Sequence, residues 1–113
     1  MNANEMLKLL ENGSNEMGEY LPEAMEKFWA FAEKTKEEGA LNKREKSLIA
    51  LGAAVAKHCE CCIVRNLQDA IEAGISKKEL AELCNILMLL DGGPGFAHSA
   101  FLLEKYDELK ADS

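Results

Sequence analysis

The side chains best suited to catalysis lie in one short segment, KHCECC at positions 57–62. Within it, Cys59 and Cys62 form a C-x-x-C pair. On a helix, residues three apart share a face with Cβ atoms about 5–6 Å apart, and a modest adjustment brings this spacing to disulfide geometry. A helix N-terminus stabilises negative charge, so a thiol in the first turn ionises more readily and becomes a better nucleophile. The pattern predicts a reversible Cys59–Cys62 disulfide, with Cys61 and Cys84 outside it.

Other interpretations compete with the redox dithiol. Free cysteines are often small core residues, but three of them within four positions favour a chemical role. A zinc site using His58 and the thiolates lacks ligands, because structural zinc takes four, usually in two separated pairs, and Cys84 alone cannot replace the second pair. A thioredoxin-type site places C-x-x-C at a strand-to-helix junction, and no strand is predicted here. We therefore expect a redox dithiol that uses no metal and no cofactor.

The amino-acid composition predicts an all-α protein of one domain. Sixteen Leu and fifteen Ala stand against two Val, five Ile and one Thr among 113 residues. β-branched residues lose rotamer freedom in a helix, whereas Ala and Leu lose little. Because a chain this short buries only about two-thirds of its unfolded surface, we also expect it to form a homo-oligomer.

Apolar periodicity and capping residues predict about six helices. Residues 1–18 are predicted as a short helix over 5–11 followed by a loop, and residues 19–113 as the helical domain. Capping boxes mark the start of the third and fifth helices. The second predicted helix runs from Pro22 to Gly39, and the third begins at Asn42, whose capping partner is Glu45. The fourth runs from Cys59 to Gly74. The fifth runs from Ser76, whose capping partner is Glu79, to Asp91, and the sixth begins at Phe96.

The charge distribution argues against nucleic-acid and membrane partners. Thirteen Lys and Arg against twenty Asp and Glu give a net charge of −7 with the basic residues dispersed, whereas a phosphate-binding surface needs a basic stripe. The longest apolar run, residues 86–90, is far below the roughly 20 residues that cross a bilayer. The N-terminus shows no signal-peptide pattern. The expected location is the cytoplasm, where cysteines stay reduced unless they have a catalytic, redox-sensing or metal-binding role.

Several motifs together resemble one protein family. They are Leu41-(x)2-Arg44-(x)3-Leu48-Ile49-Ala50-Leu51, Cys59-(x)2-Cys62-Ile63, Ala70-(x)2-Ala73-Gly74-Ile75-Ser76-(x)2-Glu79-Leu80 and Gly92-Gly93-Pro94. Over residues 21–109, the chain resembles the carboxymuconolactone decarboxylase family, and within it the AhpD-like alkylhydroperoxidase branch. The resemblance implies an AhpD-like helical bundle that assembles as a trimer or hexamer. It also implies that the C-x-x-C pair reduces hydroperoxides through an intramolecular disulfide, in antioxidant defence.

The chain departs from this family at two positions of the proton relay. Peroxidase members carry a Glu twelve residues before the first motif cysteine and a His four residues after the second, where this chain has Ser47 and Asn66. Neither side chain titrates near neutrality. His58 is the candidate replacement, because an imidazole beside Cys59 can ionise the thiol or carry protons. It follows Ser47 by eleven residues, so the two would lie on the same face of the third helix if that helix extends as far as His58. A solvent-facing histidine at a helix C-terminus is the alternative, and His98 is interpreted as a packed or surface residue.

The sequence therefore predicts a thiol-dependent hydroperoxide reductase or dithiol–disulfide oxidoreductase with Cys59, Cys62 and His58 as its catalytic residues. In the family that the chain resembles, the relay histidine follows the second motif cysteine by one helical turn, and this favours Cys62 as the attacking thiol. The expected partners are a hydroperoxide or a small-molecule disulfide, and a thiol reductant of unspecified identity. Two alternatives remain open, namely a non-enzymatic redox-sensing or binding module with the same fold and a carboxymuconolactone decarboxylase-type lyase.

Overall fold

Five α-helices follow one another along residues 1–111, the part of the chain that the computed structural model describes. They are α1 (Ala3–Tyr20), α2 (Pro22–Lys36), α3 (Lys43–Ala56), α4 (Glu60–Glu72) and α5 (Lys77–Ala111). No strand occurs within those residues. Helices α3, α4 and α5 pack on one another, and α1 contacts α2, α4 and α5. The prediction of a single all-α domain is confirmed.

Side-chain caps start two helices where the sequence predicted. The Asn42 side chain accepts the Glu45 backbone N–H at 2.8 Å, and the Glu45 carboxylate accepts the Asn42 N–H at 2.8 Å. Ser76 and Glu79 form the same reciprocal pair before α5. Each pair satisfies backbone donors that have no partner within the helix. The starts of α3 and α5 are therefore set by local interactions.

The prediction for the N-terminal segment is wrong in one respect. Residues 12–18, expected to form a loop, continue α1 without a break. Glycine inside a helix costs only about 0.5–1 kcal/mol relative to alanine, and the space around Gly13 is open. Packing of α1 against its neighbours outweighs that cost, and the indole N–H of Trp29 on α2 donates to the Ser14 hydroxyl at 2.9 Å. The continuous α1 forms one wall of a cleft beside the cysteines.

The fifth and sixth predicted helices join into α5, which breaks at the expected glycine cluster. Gly92 has φ 61° and ψ −134°, values outside the helical region that glycine adopts without steric penalty. A Cβ atom on Gly95 would lie 2.7 Å from the Leu87 carbonyl oxygen. The backbone on the two sides of the break approaches this closely only because residue 95 has no side chain. The break separates Asp91 from His98, two residues that meet again at the candidate site.

One hydrophobic core lies where α3, α4 and α5 meet. Its fully buried larger side chains include Leu51, Val55, Ile63, Leu67, Leu80 and Leu102. A smaller cluster holds α1 against α4, and it consists of Ala3, Met6 and Val64. Burial of each large apolar side chain contributes about 1.5–3 kcal/mol. These contacts fix the position of α4, whose N-terminus carries the cysteine pair.

Large apolar side chains also remain at the surface. α2 has no buried residue, and on α5 the side chains of Leu89 and Leu90 are exposed by 82% and 77%. By length and composition alone, α5 would qualify as a membrane-spanning helix. The same helix supplies Leu80 and Leu102 to the core and breaks at Gly92. Its apolar character is therefore weak evidence for a membrane location.

We expect Gly95→Ala to destabilise the fold by about 1–3 kcal/mol, the usual cost of forcing extra atoms into a packed site. The added methyl group would meet the main chain of Leu87, which cannot rotate away as a side chain can. Gly13→Ala is the matched control, because nothing lies within 4 Å of the new Cβ and the change should stabilise α1 by about 0.5–1 kcal/mol. Urea denaturation measures both free energies of unfolding. Equal midpoints for the two variants would contradict the close approach within α5.

Candidate redox site

Cys59 is the N-cap residue of α4. Its backbone is extended, with φ −101° and ψ 98°, and its Sγ accepts the Cys62 backbone N–H at 3.3 Å. The two cysteines form a disulfide with their Cα atoms 5.2 Å apart, inside the usual range of about 4.4–6.8 Å. The structure thus joins the pair that the sequence singled out. It places them at the positive end of the helix dipole, which stabilises a thiolate.

The four cysteines differ in their surroundings. Cys59 is half-buried and Cys62 is exposed. Cys61 is a free thiol that packs against the small cluster between α1 and α4, and Cys84 is a free thiol in the main core. Burial raises the pKa of the Cys84 thiol, and the nearby Ser99 hydroxyl offsets only part of that shift. Cys84 is therefore a core residue, and Cys62 is the member of the disulfide most open to a substrate.

An apolar cleft of about 710 Å³ opens between α1, α2 and α4. Its apolar lining consists of Leu7, Leu10, Met17, Met25, Phe28 and Trp29. Cys61 and Cys62 lie in the wall that α4 contributes. The Trp29 ring is held by its hydrogen bond to α1 and by an edge-on contact with Phe28, the ring centroids being 5.1 Å apart. The cleft can hold a hydrocarbon group beside Cys62.

A second, polar cleft of about 550 Å³ lies between α2, α3 and α4 and contains both positions of the missing proton relay. Ser47 on α3 and Asn66 on α4 line it together. Asn66 also lines the apolar cleft, and its Nδ2 donates to the Cys62 carbonyl at 2.8 Å. Asn66 thus donates a hydrogen bond next to the dithiol, but neither Asn66 nor Ser47 can exchange a proton at neutral pH.

His58 lies in the short link between α3 and α4. The third helix does not extend far enough to place His58 on the same face as Ser47, because α3 ends at Ala56 and His58 has a left-handed backbone with φ 56°. His58 therefore follows the C-terminus of α3, where the alternative interpretation placed it. Its Nε2 lies 2.6 Å from Asp91 Oδ2. Its ring stacks on the His98 ring, with centroids 4.5 Å apart and planes 11° apart. α5 therefore holds the side chain of the residue that precedes Cys59.

The structure brings His98 into this cluster and adds Asp91, which sequence reasoning did not single out. Asp91 ends the first half of α5, directly before the break at Gly92. An acidic residue closing an apolar helix is the only signal in the sequence, and it does not indicate a partner 33 residues away. Among residues 1–111, no group of three or more His, Cys, Asp or Glu is arranged to hold a metal ion.

Comparisons with known proteins define the class of this chain. Residues 22–105 match the carboxymuconolactone decarboxylase family. An uncharacterized protein of Cupriavidus necator is 30% identical over 95 residues, which cover 84% of each chain. An uncharacterized protein of Methanocaldococcus jannaschii is 32% identical over 66 residues, which cover 58% of this chain and 64% of the relative.

A solved structure is similar over nearly the whole chain. It is the apo form of a carboxymuconolactone decarboxylase family protein from Legionella pneumophila, with a TM-score of 0.88 and 30% sequence identity over 94% of this chain and 95% of that one. The protein belongs to the carboxymuconolactone decarboxylase family. The resemblance found in the motifs is confirmed at the level of the family and of the fold.

Proposed function

We propose that the protein is an AhpD-like, dithiol-dependent hydroperoxide reductase in which Cys59 and Cys62 alternate between dithiol and disulfide. The observation that carries the proposal is the disulfide at the N-terminus of α4, with Cys62 in the wall of an apolar cleft. A disulfide is the product that two neighbouring thiols leave after reducing a peroxide. Its place at the helix N-terminus favours the thiolate, which is the attacking form.

Cys62 is the attacking thiol in this proposal, because it is exposed and lines the apolar cleft. Its thiolate attacks the terminal oxygen of the hydroperoxide. An S–O bond forms, the O–O bond breaks, and the alkoxide takes up a proton and leaves as an alcohol. Cys62 becomes a sulfenic acid. The hydrocarbon part of the substrate lies against Phe28 and Trp29, which line the same cleft.

Cys59 then closes the disulfide. Its sulphur attacks the Cys62 sulphur, the S–S bond forms, the S–O bond breaks, and the hydroxide leaves as water after protonation. With Cα atoms 5.2 Å apart, the two residues make this bond without unwinding α4. A thiol reductant restores the dithiol by exchange through a mixed disulfide. Because the cycle needs such a reductant, we propose a cytoplasmic location.

The alternative functions give different results in one pair of assays. Turnover of cumene hydroperoxide is measured with dithiothreitol as the reductant, beside decarboxylation of carboxymuconolactone. We expect hydroperoxide turnover above the rate of dithiothreitol alone. Formation of one disulfide per chain with no turnover would identify a redox sensor. Decarboxylation without hydroperoxide turnover would identify a lyase, and either of these results would overturn the proposal.

We also propose that the chain forms a homo-oligomer, a trimer or a hexamer. Ile86, Leu89, Leu90 and Phe96, all near the break in α5, are exposed by more than half in the single chain, and soluble monomers rarely leave large apolar patches in water. Sedimentation should therefore give a mass several times the 12.5 kDa of the chain, and Leu90→Lys should weaken the association. A 12.5 kDa species at micromolar concentration would contradict this prediction.

A further inference from the structure

We infer that Asp91 and His98 hold His58 as the proton carrier for Cys59, so that closure of the disulfide depends on α5 as well as on the C-x-x-C segment. The inference rests on the proposed peroxide chemistry and assigns this cluster to its second step. Asp91 contacts the edge of the His58 ring and His98 contacts its face. Both are positioning residues, because each acts through that ring.

The His58 backbone is held in a conformation that non-glycine residues rarely adopt. Its φ of 56° is left-handed, and no other non-glycine residue in the described part of the chain has a positive φ. This conformation closes α3, because the His58 N–H donates to the Val55 carbonyl at 3.0 Å and the Cys59 N–H donates to the Ala54 carbonyl at 3.2 Å, the Schellman pattern of a helix C-terminus. Both contacting side chains come from α5, with Asp91 before the break at Gly92 and His98 after it. The break in α5 thus lets one helix contact the same ring from two sides.

The hydrogen bond to Asp91 decides which nitrogen of His58 is basic. A carboxylate accepts, so Nε2 carries the proton and donates it across the 2.6 Å contact. Nδ1 is then the acceptor, and it is the ring nitrogen nearer the His58 main chain, which continues directly into Cys59. His98 donates from Nδ1 to the Pro94 carbonyl at 2.9 Å, which fixes the ring stacked on His58. The neutral imidazole therefore presents its basic nitrogen on the side of its own main chain.

The position of the cluster favours Cys59 over Cys62 as the residue it serves. His58 precedes Cys59 directly, whereas Asn66, which donates to the Cys62 carbonyl, cannot exchange a proton. Cys62 is the exposed member of the pair and lines the apolar cleft. The two cysteines therefore act in different steps. Cys62 attacks the hydroperoxide, and Cys59 forms the disulfide after His58 has taken its proton.

The step balances without an outside oxidant. After the peroxide attack, Cys62 is a sulfenic acid and Cys59 is a thiol. His58 Nδ1 takes the proton of Cys59, and the Cys59 sulphur attacks the Cys62 sulphur. The S–S bond forms as the S–O bond breaks, and His58 returns the proton to the leaving hydroxide to give water. Asp91 stabilises the imidazolium that exists between the two transfers, as a carboxylate does in a catalytic triad.

A single-turnover experiment separates this step from the peroxide attack. Reduced protein is mixed with one equivalent of cumene hydroperoxide and quenched over time with dimedone, which traps sulfenic acid. Mass spectrometry counts the trapped Cys62 and the Cys59–Cys62 disulfide. In Asp91→Asn, disulfide formation should slow on the order of 10-fold or more. Trapped Cys62 should accumulate, while the hydroperoxide is consumed at the wild-type rate.

Asp107→Asn is the matched control, because it makes the same substitution on the same helix and removes only an exposed ion pair with Lys77; it should leave both steps unchanged. Adding Asp91→Asn to His58→Ala should cause no further slowing, because Asp91 acts through that ring. Wild-type closure rates in Asp91→Asn, an additive double variant, or equal slowing of both steps would each overturn the inference. A wild-type protein that consumes no hydroperoxide would overturn the proposed function instead, so the two failures are distinct.

Discussion

Cys62→Ser is expected to lower hydroperoxide turnover to the rate of the external thiol alone. A serine hydroxyl is not ionised near neutral pH, and it can form neither a sulfenic acid nor a disulfide. Because the attack on the O–O bond comes first, nothing later in the cycle can compensate for its loss. Peroxide consumption in the presence of dithiothreitol measures the effect, which is the largest that any single substitution in this chain should cause.

Two other cysteine variants make this result specific. Cys61→Ser is the matched control, because Cys61 lines the same cleft as a free thiol, and its turnover should persist. In the absence of dithiothreitol, reduced Cys59→Ser should consume one equivalent of hydroperoxide and stop with Cys62 as a sulfenic acid. If Cys62→Ser shows that one-equivalent behaviour instead, Cys59 is the attacking thiol, and the assignment of the two roles is reversed.

Restoring the proton relay with Ser47→Glu and Asn66→His together should raise turnover at pH 7 by about 10²-fold, the lower end of what a positioned base contributes. A base beside the thiol can take up its proton and so adds to the stabilisation of the thiolate that the N-terminus of α4 provides. Ser47 and Asn66 line one polar cleft, and Asn66 is already bonded to the Cys62 carbonyl. A carboxylate and an imidazole at these positions would therefore act beside the attacking thiol.

The two relay substitutions should also depend on each other, because both act on one thiol and neither completes the relay alone. Gln68→His is the matched control, since Gln68 lies on α4 and lines the apolar cleft but not the polar cleft of Ser47. If His58 already carries protons for the attacking thiol, His58→Ala should lower the native rate and the double variant should add little. Fast native turnover that neither change alters would contradict this explanation of how the thiol is activated.

Features set by neighbouring residues could be predicted from the sequence. The capping pairs Asn42–Glu45 and Ser76–Glu79 join residues three apart and start helices where expected. The break at Gly92 follows from a residue that tolerates positive φ. The Cys59–Cys62 disulfide joins residues one helical turn apart, so its pairing was also visible in the spacing.

Features that depend on packing between helices could not be predicted. Gly13 in a polar segment indicates the end of a helix, and only the contacts of α1 with its neighbours show why the helix continues. The left-handed backbone of His58 belongs to the local cap that ends α3. Its side chain, however, is held by Asp91 and His98, which reach it from another helix. The sequence therefore identified the dithiol and the residue beside it, but not the side chains that hold that residue.

The most direct test of the proposed chemistry is the stoichiometry of the reaction. Reduced protein receives less than one equivalent of cumene hydroperoxide, the remaining thiols are alkylated under denaturing conditions, and the peptides are mapped without reduction. Each equivalent of hydroperoxide consumed should produce one Cys59–Cys62 disulfide, with Cys61 and Cys84 recovered as alkylated thiols. Consumption without this disulfide, a bridge that includes Cys61 or Cys84, or hydroperoxide left unreacted would contradict a Cys59–Cys62 peroxide reductase.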